Sequence, residues 1–163
     1  MKISSISLKN YSRLQDATIE VRKDLVIIGP NNVGKSSLLR MLDIVLGTAG
    51  KLQLLTMDDL RDKEEKLEVV VKFSDITDSD GAIFHREIDV HPDDRTKSLE
   101  ICLEALQDPE DEENLLVTRW CPGRGEIRNL TRSQVEAIGW RYLSAQRQTS
   151  AKALEGSSGA VYA

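Results

Sequence analysis

Apolar and polar residues alternate at the start of the chain. Ile3, Ile6 and Leu8, then Ala17, Ile19 and Val21, stand among polar neighbours, with a break around Asn10-Tyr11-Ser12-Arg13. A period of two interrupted by turn-forming residues predicts two strands joined by a turn. Leu25-Val26-Ile27-Ile28 follows, a short, wholly apolar run with β-branched residues that fits a strand buried on both faces. It ends at Gly29-Pro30. From Lys35 the spacing changes, because Leu38, Leu39, Leu42, Val45 and Leu46 recur every three or four residues and Gly47 supplies a stop. The first 47 residues therefore spell three strands, a loop and a helix.

Residues 51–66 are polar, with Thr56, Asp58 and Asp59 suited to capping a short helical turn. Strand patterns then return at Leu67–Phe73, Ile83–Val90, Ser98–Leu106 and Leu115–Trp120. Turn chemistry separates them at Asp78-Ser79-Asp80-Gly81, His91-Pro92-Asp93-Asp94, Gln107-Asp108-Pro109 and Pro122-Gly123-Arg124-Gly125. Together these predict an antiparallel meander. Thr131 is placed to cap a helix over 132–138, ahead of a last short strand, Trp140-Arg141-Tyr142-Leu143. From Gln146 onward there is no periodicity. The predicted class is α/β, with a central mixed sheet around a loop-bearing strand and helix, flanked by the meander.

The stretch that joins the apolar run to the helix carries the chemistry. Gly29-Pro30-Asn31-Asn32-Val33-Gly34-Lys35-Ser36 fits G-x-x-x-x-G-K-[ST] at every fixed position. A chain of this length meets that pattern by chance roughly once in two hundred. Its setting, after an apolar strand pattern and at the opening of a helix, is the one the phosphate-binding loop requires. Exposed N–H groups at a helix start, with the positive end of the helix dipole, attract polyphosphate. Glycines at 29 and 34 let the backbone bend into a concave ring of amides. Lys35 is the expected catalytic residue, bridging β and γ phosphates. Ser36 is expected to give its hydroxyl to Mg2+, and Ser37 to complete the nucleotide contacts. Asn31 and Asn32 tolerate left-handed backbone angles and help shape the loop. ATP with Mg2+ is the expected ligand.

Composition narrows the picture further. A net charge of -5 argues against a chain that coats nucleic acid through its average field, although Arg119, Arg124, Arg128, Arg132, Arg141 and Arg147 cluster late. Solvated strand and loop positions account for that cluster as well as a phosphate-facing surface does. Cys102 and Cys121 are read as buried structural residues. No run approaches membrane-spanning length, and the expected address is the cytoplasm.

Ile6-Ser7-Leu8-Lys9-Asn10-Tyr11, Ile19-Glu20-Val21 and the segment from Leu25 to Leu39 resemble the N-terminal half of the ABC-type ATPases of DNA maintenance, which include the RecF-like and chromosome-structural ATPases. Within these the chain is similar to the OLD (overcoming lysogenisation defect) family of ATP-dependent endonucleases, where the loop precedes an acidic stretch, a β-rich insertion and a tract like Tyr142-Leu143-Ser144-Ala145-Gln146-Arg147. The resemblance implies that residues 1–147 form the N-terminal lobe of an ABC-type P-loop ATPase with an insertion at about 66–120, and that 148–163 form a loop or mobile tail. It implies Gln146 as a magnesium- and water-contacting glutamine, Arg13 as a phosphate contact displaced by one position, and Asp58 and Asp59 as acidic residues near the site. It also implies a homodimer of ATPase heads, DNA as a partner of the full-length protein, and an activity that powers or gates a DNA-directed endonuclease.

A complete ATPase of this type needs an acidic residue after four apolar ones, to hold magnesium and polarise water. Val69-Val70-Val71 runs into Lys72, and Ile101-Cys102-Leu103 leads to Glu104 within an alternating strand. The signature loop that reaches ATP across a dimer is missing too, and His85 and His91 lack paired carboxylates at ligand spacing. The expectation is an incomplete enzyme, cut before its signature and Walker B motifs. The alternatives are a RecF-like repair ATPase without nuclease activity, a non-catalytic nucleotide-binding module, and a GTPase or small-molecule kinase, the last weakened by the lack of N-K-x-D.

Overall fold

Where alternation is clearest, strands form. The computed structural model describes residues 1–30, 33–123 and 127–143. The strands are β1 (Lys2–Lys9), β2 (Ala17–Glu20), β3 (Leu67–Ser74), β4 (Asp89–Val90), β5 (Lys97–Asp108) and β6 (Asp111–Trp120); the helices are α1 (Lys35–Leu46), α2 (Asp78–Ile83) and α3 (Arg132–Ile138). Two 3-10 helices, Ala49–Leu54 and Met57–Asp59, follow α1. The sheet runs β2-β1-β3-β5, and β4 and β6 both pair with β5, β4 at its start and β6 towards its end. Every ladder among the described residues is antiparallel.

The register stacks apolar side chains on one face. Leu8 pairs with Val69 and Val69 with Leu103; Ile6 pairs with Val71 and Val71 with Ile101. All six are buried in a single core with Leu38, Met41, Leu42 and Val45 of α1. Removing such side chains from water stabilises the fold by roughly 1.5–3 kcal/mol each, so this face holds α1 on the sheet. Leu39 falls off the stripe and is exposed. The opposite face is polar. Glu68 and Glu104 stand directly opposite each other, a repulsive pair on its own. Lys66 sits against both, 2.6 Å from Glu68 and 2.8 Å from Glu104, while Lys9 reaches Glu68 at 3.2 Å and Lys72 reaches Glu100 at 2.7 Å. The hydrogen bonds to Glu104 and Glu68 raise the Lys66 pKa, and those from Lys66 and Lys9 lower that of Glu68.

Three expected strands do not form. Leu25–Ile28 is irregular, and Val26 and Ile28 are 76% and 88% exposed. β-branched residues favour a pleated surface only when a neighbouring strand accepts their backbone bonds, and none of the described residues supplies one here. The Ile83–Val90 run is also not a strand. The Asp78–Gly81 turn signal is instead the first turn of α2, where Thr77 and Asp80 cap each other reciprocally. Only Asp89–Val90 pairs. Trp140–Leu143 is irregular, tied to α1 by Trp140 Nε1 donating to Asp43 Oδ1 at 3.1 Å. The helix over 132–138 forms with the boundaries expected, capped by Thr131 and Gln134. Cys102 and Cys121 are buried and unpaired, and burial pushes their thiols up to about 11 and about 12. No helix of the described residues is long and apolar enough to cross a membrane.

Candidate nucleotide-binding site

The chain turns from the irregular 25–30 segment into α1 at Gly34, whose φ of 96° and ψ of 5° lie in the left-handed region. A side chain there would be strained whatever its size, and its Cβ would fall 2.3 Å from Cδ2 of Leu14. The sequence pattern thus meets a backbone requirement at this position. The first turn of α1 contains no acidic residue, and among the described residues no side chain caps its amides. Most helices satisfy these N–H groups with a Ser, Thr, Asp or Asn cap; here none of the described residues supplies one.

Lys35 lies back across the loop. Its Nζ donates to the carbonyls of Gly29 at 2.7 Å and Pro30 at 2.6 Å, and among the described residues no carboxylate neutralises it. The ammonium is therefore held at the loop by neutral acceptors and keeps its full charge for an anion. Gly29, Pro30, Val33 and Ser36 are exposed, and Gly34, Lys35 and Ser37 are half-buried. Asn31, Asn32 and Gln146, along with Arg124 and Arg147, lie outside the described residues.

Beneath the loop is a cluster that sequence reading did not identify. Tyr11, 2% exposed, follows β1 and donates its hydroxyl to the carbonyl of Ser37 at 3.2 Å. Arg40, one turn further along α1, donates to that hydroxyl at 3.3 Å and to Asp59 at 2.5 and 3.2 Å, and reaches the Leu54 carbonyl at 2.6 Å. Asp59 also accepts from the backbone amide of Thr56 at 3.0 Å, while the Asp59 carbonyl receives Ser12 N–H at 2.7 Å. Burial raises the Tyr11 pKa. For Arg40, burial acts to lower the pKa, but hydrogen bonds to Asp59 and Tyr11 outweigh it and raise it. The cluster fixes the first turn of α1 against the turn after β1.

The other expected residues are distributed differently. Asp59 fills the helix-capping role and the Arg40 pairing together, whereas Asp58 is exposed. Arg13 is exposed. Of the late arginines, Arg119 is buried beneath α1, Arg132 pairs with Glu136 at 2.8 Å, and Arg141 donates to the Trp140 carbonyl. They do not form one continuous face. His85 and His91 are exposed, and among the described residues no group of three His, Cys, Asp or Glu could hold a metal ion.

Residues 1–119 match the family model described as the AAA ATPase domain. The chain belongs to that family. The match covers β1, the loop, α1 and nearly all of the sheet, so the site of this AAA ATPase domain lies within the matched part. No curated protein matches the chain. Among solved structures, one described under ATP-driven dimerization and DNA-stimulated activation of SMC ATPases is 19% identical, with 85% of this chain and 77% of that chain covered at a TM-score of 0.45. An Smc head domain with a coiled coil and joint from Pyrococcus yayanosii is 18% identical, with 84% of this chain covered at a TM-score of 0.47. The AAA ATPase domain spans 25% of that second chain.

Proposed function

We propose that this AAA ATPase domain binds Mg-ATP at Gly29–Ser37 as the N-terminal lobe of an OLD-like ATPase. The observation that carries the reading is the junction at Gly34. A left-handed glycine opens a helix that no described side chain caps, and beside it stands an ammonium with no carboxylate partner among the described residues. Amides and dipole at the helix start supply a ring of donors for phosphate oxygens. Lys35 exchanges the Gly29 and Pro30 carbonyls for the β and γ phosphates, a stronger, charge-assisted pairing. The exposed Ser36 hydroxyl is the group within the loop that would hold magnesium. When bound, Mg-ATP supplies the phosphoanhydride that is cleaved; the residues here hold and orient it. The link to an endonuclease, a partner head and DNA rests on the sequence resemblance around the loop.

Lys35→Ala tests the site. Among the described residues its side chain bonds only to exposed loop carbonyls, so the variant keeps the circular dichroism and urea midpoint of the parent while losing heat of Mg-ATP binding in calorimetry. Unchanged affinity would refute the reading. Stronger binding of GTP than of ATP would move the chain to another class of P-loop protein.

A further inference from the structure

The far end of α1 presents a second charged site. α1 has no basic residue in its last turn, yet its final carbonyls are not left without a donor. Arg119, from β6 and only 6% exposed, donates Nη1 to the carbonyls of Val45 at 3.0 Å and Gly47 at 2.5 Å. A cation at a helix C-terminus is favourable, but two carbonyls do not cancel a whole buried charge. Burial lowers the Arg119 pKa, and among the described residues no carboxylate pairs with it. Among the described residues the guanidinium is engaged through Nη1. Nε and Nη2 make no hydrogen bond among the described residues.

Arg119 lines a cavity of about 400 Å³ between the end of α1 and α3, a size that suits a small ligand. Ala49, Leu130 and Val135 give it apolar walls, and Arg132 stands at the rim, 93% exposed at its side chain and paired with Glu136. We propose that this cavity binds a small organic carboxylate with an apolar body, gripped by the Nε–H and Nη2–H fork of Arg119. That edge of a guanidinium presents two parallel donors at the spacing of two carboxylate oxygens. One negative charge balances one buried positive charge. Phosphate fits less well, since the walls of Ala49, Leu130 and Val135 suit an apolar body and not further charged oxygens.

Benzoate is the probe, followed by NMR through the Arg119 Nε–H and the methyl groups of Leu130 and Val135. The expected result is one saturable curve for all three, with the neutral benzamide weaker by about tenfold or more because it offers no anion to the fork. R119K keeps a charge for Val45 and Gly47 but lacks the fork, so benzoate weakens about tenfold while circular dichroism is retained. R132A alters only an exposed side chain, folds whatever R119K does, and weakens benzoate about threefold through the lost rim charge. Benzamide or inorganic phosphate titrating as well as benzoate overturns the proposal. So does the absence of saturation, or wild-type benzoate affinity in R132A together with R119K.

Discussion

Asp59→Ala probes the cluster beneath the phosphate loop. Asp59 is 9% exposed and accepts two bonds from Arg40 and one from the Thr56 amide. Loss of the Thr56 bond removes a helix cap, which costs about 1 kcal/mol. Loss of the ion pair costs about another 1 kcal/mol, since the Arg40 side chain is 40% exposed and retains the Leu54 carbonyl and Tyr11 hydroxyl. The sum is about 2 kcal/mol, and with a urea dependence of about 2 kcal/mol per molar the midpoint falls by about 1 M. Equilibrium urea unfolding followed by tryptophan fluorescence measures it. Arg40→Ala in the Asp59→Ala background should then cost about 1 kcal/mol less than alone, because its partner is already gone. A midpoint shift under about 0.25 M, or strict additivity of the two changes, would show that the cluster does not tie α1 to the turn after β1.

Other outcomes follow from the same structure. Gly123→Ala places a Cβ 2.1 Å from the Glu87 carbonyl, a backbone atom that cannot swing away, so thermal unfolding should show a loss of about 1–3 kcal/mol; an unchanged transition would contradict that packing. The Met1 ammonium, with the Thr77 amide and hydroxyl, holds the Asp80 carboxyl down to about 2, below its ordinary 3.8. A depressed carboxylate stabilises fully above its ordinary pKa and loses that contribution as pH falls towards 2, so the stability gap between wild type and Asp80→Asn should shrink on going from neutral pH to about pH 2.5. A constant gap would count against the pairing. Finally, Cys102 and Cys121, with thiols pushed up and buried, should resist a thiol-disulfide reagent at mildly alkaline pH and react fully in denaturing urea; rapid labelling of the native chain would show that one is accessible.

Elements whose own residues carry a complete signal were legible. α1 shows its three-and-four spacing, α3 its Thr131–Gln134 box, and β3 and β5 an apolar residue at every second position, Leu67 to Phe73 and Leu99 to Ala105. Leu25–Ile28 shows the limit, since its composition favours a strand but a ladder needs a second chain segment. The same limit applied at Ile83, where the Thr77–Asp80 pair outweighed a strand-like composition and started a helix. The phosphate loop was readable because its chemistry needs residues at fixed short spacing. The cluster below it was not. Tyr11, Arg40 and Asp59 come from three separate elements, and Arg119 meets the end of α1 from 74 residues away. Neither contact has a local pattern.

The charged face of the sheet has a consequence of its own. Lys9, Lys66 and Lys72 each sit within 3.2 Å of a carboxylate, so positive and negative charge are interleaved at a finer grain than the screening length of about 8 Å in physiological salt. Seen from farther away, their fields cancel. A long polyanion drifting past would feel no pull from this side, and raising the salt would scarcely change how often it arrives.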